Sequence, residues 1–293
     1  MKREEPPRSR PGPQEWRAAL PTRAGAIARE WGLALGAPLG CSTQGLVRAA
    51  SLAENGTPAV LKLEKPGQGV AAQAAALAAW AGRGAVRLLR ADPDRGALLL
   101  ERLAPGTPLA ALCPAGRDDE ATVTVAEVSL ALRRPPPEGA VLADAHGWWR
   151  AIAACRDPRL EAQFRDRALG LWRELAASAP APSLIHGDLH HGNILADGEA
   201  WRAIDPIGAT GDPLFDPASA LCEPVSFLAR LDHLPRLLDR RLGRLAERLA
   251  ADRARLAAWA FAIAVLKTVW AIEDGRNERG YAAIAAVLSP STS

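Results

Sequence analysis

The sequence contains little cysteine and no long apolar run, and each scarcity excludes a class of protein. Its four cysteines are scattered and form no CxxC pair, which argues against a disulfide framework or a cysteine-based zinc site. The most apolar run, residues 256–266, is about half of the roughly 20 residues needed to cross a bilayer. The opening residues do not resemble a secretory signal peptide. We therefore expect a cytoplasmic protein with reduced thiols and no membrane contact.

The charge pattern does not indicate a nucleic-acid partner. The net charge is +3, and the arginines of residues 230–255 alternate with leucine, alanine and acidic residues at helical spacing, which is typical of a solvated helix face. Apolar residues make up 48% of the chain, enough for a sizeable core. We expect a small-molecule partner, no nucleic acid, and a monomer or homodimer.

The order of predicted elements indicates two lobes of an α+β protein. Residues 1–13 mix Pro, Arg and Glu and predict a disordered tail. An Asn55-Gly56 turn between apolar runs, with a helix over 68–81, predicts a small antiparallel sheet lobe over residues 14–102. Residues 103–293 predict a helical lobe interrupted by the strands "PSLIHG", "NILA" and "WRAID". Its helices are expected near residues 118–133, 143–154, 158–177, 217–231, 237–251 and 252–273.

The stretch "LIHGDLHHGNIL", residues 184–195, concentrates the side chains that could carry chemistry. An H-E-x-x-H zinc site needs a glutamate and an unbroken helix, but Gly187 and Gly192 interrupt the stretch. A His-Asp phosphohydrolase needs those two residues adjacent, and a serine hydrolase needs a G-x-S-x-G motif that the sequence does not contain. The spacing H-x-D-x-x-x-x-N, which fits His186, Asp188 and Asn193, favours phosphoryl transfer.

Phosphoryl transfer would give these residues distinct roles. Asp188, in a loop after a strand, would accept the proton of a substrate hydroxyl, and Asn193 would offer its amide oxygen to Mg²⁺. The hairpin formed by "NILA" and "WRAID" would bring Asp205 beside Asn193 as the second metal ligand. Simpler roles stay open residue by residue: a turn former at Asp188 and a turn cap at Asn193. His186 would brace the loop, and His190 and His191 would be exposed loop residues or hydrogen-bonded supports.

The amino-terminal lobe offers a second test of this hypothesis. Lys62 lies inside the apolar strand "AVLKL", where an ammonium is costly unless it has a partner, and a compact charge suits a nucleotide phosphate. The alternative is an edge-strand lysine whose charge reaches solvent. The loop "GCSTQG", residues 40–45, with Ser42 and Thr43, would cover the phosphates of ATP with its backbone amides.

Taken together, the motifs "GTPAVLKL", "ALLLERLAPGTPL", "HGDLHHGNIL", "AIDPIGATGDP" and "AVLKTVWAIEDG" resemble the aminoglycoside and hydroxyurea antibiotic resistance kinases, and within them the streptomycin 6-phosphotransferases. The resemblance covers nearly the whole chain after the tail. It implies a protein-kinase-like two-lobed fold and an enzyme that uses ATP and Mg²⁺ to phosphorylate a hydroxyl of an aminoglycoside such as streptomycin.

Carried over by position, the resemblance assigns a role to each matching residue. It implies a catalytic base at Asp188, metal ligands at Asn193 and Asp205, and nucleotide contacts at Lys62 and at the linker from Glu101 to Leu103. Asp216 would help to hold the catalytic loop, together with His186.

One position departs from the kinase pattern. The register of the first-lobe helix puts Gln73 where a glutamate normally pairs with the strand lysine. Glutamine can accept a hydrogen bond but supplies no countercharge. Glu64 lies two residues from Lys62 on the same face of the strand and is an alternative partner.

Substrate recognition is predicted from acidic residues of the helical lobe, because a cationic, guanidinium-bearing acceptor requires countercharges. The residues proposed are Asp212, Glu223, Glu273 and Asp274, with Trp270 as a stacking wall. An ordinary surface charge is the alternative for each acidic residue. Two other functions stay open: a kinase of hydroxyurea or another small metabolite, and a nucleotide-binding protein without turnover.

Overall fold

A computed structural model describes residues 13–41 and 45–289. They belong to two compact units. Unit 1 contains the chain up to Ala71 together with residues 88–102, and unit 2 contains residues 72–87 and the chain from Leu103 onward. Residues 72–87, which the sequence assigns to the first lobe, thus group with unit 2, while the predicted boundary after residue 102 stays a prediction. The predicted tail, apart from Pro13, lies outside the described residues.

Unit 1 is a five-stranded antiparallel sheet with one helix against it. The strand order is β1-β2-β3-β5-β4. Its elements are α1 (Pro13–Trp31), β1 (Leu33–Cys41), β2 (Leu46–Leu52), β3 (Pro58–Leu63), β4 (Leu88–Asp92) and β5 (Ala97–Glu101). The sequence predicts a short helix from Thr22 to Trp31, and α1 starts nine residues earlier. The helix α2 (Gln68–Trp80) follows β3 and begins in unit 1.

The core of unit 1 forms because α1 and the sheet each present one apolar face. Trp16, Ile27 and Trp31 of α1 pack against Leu61 and Leu63 of β3, and all five are buried. Side chains alternate along a strand, so the residue between Leu61 and Leu63, Lys62, lies on the other face of β3. The strand therefore holds the lysine in a fixed register, opposite Leu98 of β5.

Unit 2 is mainly helical, with short strands between the helices. The strands are β6 (Pro105–Pro108), β7 (Ala143–Asp144), β8 (Ser183–Ile185), β9 (Ile194–Asp197), β10 (Ala200–Ala203) and β11 (Ala209–Gly211). The helices are α3 (Asp118–Leu132), α4 (Trp149–Ala154), α5 (Ala162–Ala177), α6 (Phe215–Leu221), α7 (Val225–Leu228), α8 (Leu234–Leu249), α9 (Arg253–Glu273) and α10 (Arg279–Leu288).

Two small sheets place the functional stretch. Strand β8 pairs with β11, which also pairs with β7, and the loop after β8 carries the H-x-D-x-x-x-x-N motif. Strands β9 and β10 form the predicted hairpin, with Ile194 opposite Ala203. Strand β9 therefore begins, and strand β10 ends, beside the loop that carries this motif.

Helix α9 runs through the core of unit 2. By length and composition it is the one helix of the described chain that could cross a membrane, but 72% of that window is buried inside the protein. Residues from Leu256 to Val269 are almost all buried, among them Trp259 and Phe261. Such burial is expected of a helix that is apolar on every side and is covered by other helices.

Two predicted helices are shorter than expected. Residues 143–154 form a strand, a 3-10 turn over Ala145–Trp148 and then α4. Residues 217–231 are divided between α6 and α7, and Pro224, which has no amide hydrogen to donate, stands directly before α7. Helix α10 lies beyond the last predicted helix.

Candidate active site

The loop after β8 is held by the buried carboxylate of Asp216. Its two oxygens accept hydrogen bonds from the backbone amides of His186, at 2.7 Å, and Gly187, at 2.9 Å. Asp216 stands in the first turn of α6. Burial raises the pKa of Asp216 to about 6, against the opposing effect of the two amides. The expected supporting role of Asp216 thus has a concrete basis, since the carboxylate fixes the backbone immediately before Asp188.

His186 connects the loop to the strand that precedes Asp205. Its ring is fully buried and lies parallel to that of Trp80, with the centroids 6.3 Å apart. Nε2 donates to the carbonyl of Ile204 at 2.8 Å, and Nδ1 accepts from the amide of Asp188 at 3.3 Å. Burial lowers the pKa of His186 to about 4. The ring is therefore neutral at pH 7, in the tautomer that bonds both segments.

These contacts leave the side chain of Asp188 accessible. It is 43% exposed, and its Oδ2 lies 3.7 Å from Nε2 of His190. His190 in turn accepts a hydrogen bond from the amide of Gly192 through Nδ1, so its Nε2 carries the proton that faces the carboxylate. A rigid backbone thus presents one partly exposed carboxylate beside a single imidazole N–H.

Asn193 and Asp205 lie next to each other, as the hairpin predicts. The amide of Ile204 donates to the carbonyl of Asn193 at 2.8 Å. The side-chain nitrogen of Asn193 donates to the carbonyl of Asp188 at 3.1 Å, which makes its oxygen the atom that could bind a cation. Asp205 is exposed and has a left-handed backbone with φ of +64°. Non-glycine residues in this region are uncommon and cluster at functional sites.

The donor set of this hairpin suits Mg²⁺. An amide oxygen and a carboxylate are hard oxygen ligands, and Mg²⁺ needs only one or two protein carboxylates because it retains water and phosphate ligands. Within residues 13–41 and 45–289, no group of three or more His, Cys, Asp or Glu side chains could hold a metal ion. The predicted ligands, Asn193 and Asp205, are therefore brought together in a form that fits a magnesium–nucleotide complex.

The predicted exposed histidine at position 191 is instead buried. His191 is 2% exposed, neither ring nitrogen has a hydrogen-bond partner among the described residues, and burial lowers its pKa to about 3. It lies in the turn before Asn193, close to a buried ion pair in which Nε of Arg241 donates to Asp118 at 3.1 Å. The sequence left two alternatives for His191, an exposed loop residue or a hydrogen-bonded support, and the first is wrong because the turn after His190 directs this ring into the core of unit 2. The second is not seen among the described residues, since the ring forms no hydrogen bond with them.

Glu223 is the centre of a second buried cluster. Its Oε1 accepts hydrogen bonds from Nζ of Lys267 at 2.9 Å and from the hydroxyl of Tyr281 at 2.7 Å. Burial alone would raise the pKa of Glu223, but the ammonium of Lys267 outweighs burial and lowers it to about 2. Burial by itself would lower the pKa of Lys267. The negative charges of Glu223 and, to a smaller extent, Asp188 outweigh burial, so the pKa of Lys267 is raised. The negative charge of Glu223 is thus balanced by Lys267 within the protein, before any substrate binds.

The other predicted substrate residues have different surroundings. The carboxylate of Asp212 is fully buried and bonded to Arg255 and to the amide of Leu214, so it has no surface to offer a substrate and its role is structural. Glu273 is exposed at the end of α9, and Asp274, also exposed, pairs with Arg276 at 2.8 Å. Trp270 is partly exposed in the last turn of α9.

Unit 1 holds Lys62 and Glu101, two of the predicted nucleotide residues. Nζ of Lys62 lies 3.0 Å from Glu64, and the lysine side chain is only 4% exposed, so the alternative partner proposed from the sequence is present. Glu101 ends β5, opposite Ala59. Leu103, the first residue of the chain to return to unit 2, is buried.

The remaining predicted nucleotide residues do not lie in the described part of unit 1. Gln73 is buried in the part of α2 that belongs to unit 2. Ser42 and Thr43 lie outside the described residues.

Sequence reasoning missed Lys267, Tyr281, Arg241 and Trp148. Lys267 had a usable signal, because it is one of only four lysines in a chain with 36 basic residues and interrupts an apolar helix. Trp148 had none, since a tryptophan in a predicted helix is normally a core residue.

Comparison with known proteins supports the same chemistry. The family model described as aminoglycoside/hydroxyurea antibiotic resistance kinase matches residues 37–275. The chain is 36% identical over 271 residues to a streptomycin 6-kinase of Streptomyces glaucescens, covering 89% of this chain and 86% of the relative. It is also 36% identical over 274 residues to a hydroxyurea phosphotransferase of Kitasatospora aureofaciens, covering 89% and 76%.

A solved structure shows the fold. An aminoglycoside phosphotransferase in ternary complex with ADP and hygromycin B superposes with a TM-score of 0.62 at 17% identity, over 92% of this chain and 98% of the other. The fold is therefore that of the protein-kinase-like phosphotransferases, and nucleotide use follows from the kinase family. The chain belongs to the aminoglycoside/hydroxyurea antibiotic resistance kinases and is a phosphotransferase with an alcohol group as acceptor.

Proposed function

We propose that this enzyme transfers the γ-phosphoryl group of ATP to a hydroxyl group of an aminoglycoside, with streptomycin as the acceptor. The observation that carries the proposal is the geometry of the loop after β8. A partly exposed carboxylate, Asp188, follows a backbone that Asp216 and neutral His186 hold in place. The carboxylate is 43% exposed and faces a histidine N–H at 3.7 Å, which leaves room for a substrate hydroxyl to donate to it.

Each residue then has a defined task. Asp188 accepts the hydrogen bond of the acceptor hydroxyl, orients its oxygen for in-line attack and takes its proton late in the transfer. The N–H of His190, 3.7 Å from Oδ2, restrains the carboxylate. Neutral His186 cannot compete as a proton donor at pH 7, because burial keeps its pKa near 4. The chemistry is therefore mainly positioning, as expected for a loose phosphoryl-transfer transition state.

Asn193 and Asp205 would hold Mg²⁺, which when bound neutralises the charge of the nucleotide phosphates. The hydrogen bond from Asn193 to the carbonyl of Asp188 ties the metal-binding amide to the base. A displacement at one position is thereby transmitted to the other. In unit 1, Lys62 would bind a nucleotide phosphate, with Glu64 preserving its orientation before the nucleotide arrives.

Hydroxyurea is the second candidate acceptor. The chain is as similar to the hydroxyurea phosphotransferase as to the streptomycin 6-kinase, at 36% identity in each case. The two activities share the proposed base and metal ligands, so they differ only in what the acceptor contacts. A small neutral acceptor needs no countercharge, whereas streptomycin carries guanidinium groups.

The test is a coupled ADP-release assay with Mg²⁺-ATP and a panel of streptomycin, hygromycin B and hydroxyurea. We expect streptomycin-dependent ADP release in the wild type and its loss in Asp188→Asn, which keeps the size of the side chain but removes the proton acceptor. Asp166→Asn is the matched control, because Asp166 is an exposed carboxylate on α5 and should keep full activity. ADP release with hydroxyurea but not with streptomycin would identify hydroxyurea as the acceptor. ADP release that Asp188→Asn leaves unchanged would refute Asp188 as the base.

A further inference from the structure

Two tryptophans form an aromatic wall beside the catalytic loop. Trp148 ends the 3-10 turn before α4, and Trp270 lies in the last turn of α9; their ring centroids are 5.7 Å apart with the planes inclined by 70°. Both are partly exposed, whereas Trp172 and Trp259 nearby are at most 1% exposed. We call Trp148 and Trp270 the tryptophan pair. Its partial exposure distinguishes it from the aromatic core of unit 2.

The tryptophan pair borders the proposed base. A Cβ on Gly187 would lie 3.2 Å from Cη2 of Trp148 and 3.1 Å from Cβ of Ile207. Gly187 has φ of +86°, so the absence of a side chain serves both this close approach and a backbone that other residues rarely adopt. The next residue is Asp188. The ring of Trp148 therefore ends one residue from the carboxylate that would receive the acceptor hydroxyl.

Rigid packing fixes the position of the wall. The ring of Trp148 also meets that of Phe215 edge to face, with the centroids 5.2 Å apart. Phe215 directly precedes Asp216, whose carboxylate holds the backbone of the catalytic loop. The wall and the loop are thus supported by adjacent residues of α6, and the wall needs little reorganisation to receive a ligand.

The charges near the wall permit a cation. Lys267, one helical turn before Trp270, is buried and its charge is offset by Glu223. Arg276 is paired with Asp274, and Glu273 is an exposed carboxylate at the same end of α9. A flat guanidinium stacks favourably on an indole face and gains more where the site excludes water.

A cavity lined by other residues of unit 2 is electrostatically less suitable for a cation. A cavity of about 360 Å³ is lined by Trp149, Trp172, Arg150 and Arg173, with Asp144 as its one carboxylate. Its two guanidinium groups would repel a cationic acceptor. Trp149, which lines this cavity, directly follows Trp148 in the chain and therefore provides a matched control.

We propose that the tryptophan pair is the acceptor-binding wall of this kinase, and that Trp148 is a specificity-determining residue that stacks on a guanidinium group of the acceptor. This inference rests on the proposed function, because it assumes that Asp188 receives the acceptor hydroxyl. It adds a substrate class: acceptors with a planar cation are favoured over small neutral ones such as hydroxyurea.

The test compares Trp148→Leu, Trp148→Phe and the control Trp149→Leu. Trp149 is 39% exposed and lies beneath Arg150 on the cavity side. In Trp148→Leu, the KM for streptomycin should rise roughly 3- to 30-fold, the range expected for a lost cation–π contact. The KM for ATP should stay unchanged, and Trp148→Phe, which keeps a π face, should recover part of the loss. Trp149→Leu should behave as wild type.

The outcomes separate the two proposals. If the wild type phosphorylates streptomycin but Trp148→Leu leaves its KM unchanged, or raises the KM for ATP equally, the wall is refuted and the proposed function stands. If only hydroxyurea is phosphorylated, the preference for a planar cation is refuted. If no acceptor is phosphorylated, the proposed function fails, and calorimetric titration of streptomycin into wild type and Trp148→Leu decides the wall: a weaker Kd in the variant supports it, and equal values refute it.

Discussion

The buried pair of Lys267 and Glu223 gives the most sharply defined stability prediction. The side chains are 7% and 12% exposed, and their charged atoms lie 2.9 Å apart. Replacing Lys267 by Met leaves the carboxylate buried without its cation, which typically costs about 3–5 kcal/mol. The lowered pKa of Glu223 reflects the same ammonium, together with the hydroxyl of Tyr281 and the amide of Val225. Its fall from 4.5 to about 2 corresponds to about 3 kcal/mol at 1.36 kcal/mol per pKa unit.

The assay is urea-induced unfolding followed by tryptophan fluorescence at pH 7. We expect Lys267→Met to lower the free energy of unfolding by about 3 kcal/mol, and the double variant with Glu223→Gln to lose less than the sum of the two single variants, because neither charge then remains unpaired. Arg276→Met is the control. It breaks a pair whose side chains are 58% and 60% exposed, and such pairs contribute about 1 kcal/mol or less.

The pH dependence of the same pair has a definite sign. Because the folded-state pKa of Glu223 is depressed, its contribution is fully present above about pH 4.5 and is lost as the pH falls through about 2. Equal losses in Lys267→Met and Arg276→Met, or strictly additive effects in the double variant, would refute the reasoning. A KM for streptomycin that changes in Glu223→Gln without any change in stability would instead restore Glu223 as a substrate residue.

Three further predictions concern the loop and its supports. Asp216→Asn keeps one acceptor oxygen but turns an NH2 donor toward one of the two buried backbone amides. The variant should therefore lower both kcat and the unfolding free energy, the latter by about 1–3 kcal/mol; unchanged kcat would contradict the supporting role. His191 stays neutral in the folded protein because burial lowers its pKa to about 3. Below about pH 6.5 the unfolded chain binds a proton that the folded protein does not, so the free energy of unfolding falls until the pH reaches about 3. Urea midpoints of His191→Leu should therefore depend less on pH between 7 and 5 than those of wild type. Gly208→Ala should lower the thermal midpoint by several degrees, because φ is +75° and the new Cβ would lie 2.7 Å from the carbonyl carbon of Ala72; an unchanged midpoint would show that the backbone there can move.

The parts of the site that could be predicted are those set by local geometry. The Asp197-Gly198 turn and the apolar runs beside it define the β9–β10 hairpin, so the adjacency of Asn193 and Asp205 follows from register. The protein-kinase-like fold was predicted from the order of strands and helices and from family motifs, and it is confirmed by the solved relative. The alternative of a nucleotide-binding protein without turnover finds no support among the enzymes to which the chain is similar.

Contacts between distant segments were less predictable. Whether an acidic residue faces solvent or a buried cation depends on residues far along the chain: Arg255 neutralises Asp212, 43 residues away, and Lys267 neutralises Glu223, 44 residues away. The sequence left His191 as an exposed residue or a hydrogen-bonded support, because neighbouring residues do not reveal which side of a short turn will be covered. The roles proposed for Glu273 and Asp274 stay predictions.

The grouping of residues 72–87 with unit 2 matters for protein engineering. The amide of Val86 donates to the carbonyl of Ala203, the residue where β10 ends two positions before Asp205, and the amide of Ala203 donates to Gly84. A fragment that starts at Leu103 would lose both bonds and expose the end of the strand that leads to the predicted metal ligand. Chimeras between members of this family should therefore exchange residues up to 71 together with 88–102, and should retain 72–87 from the parent that supplies the hairpin.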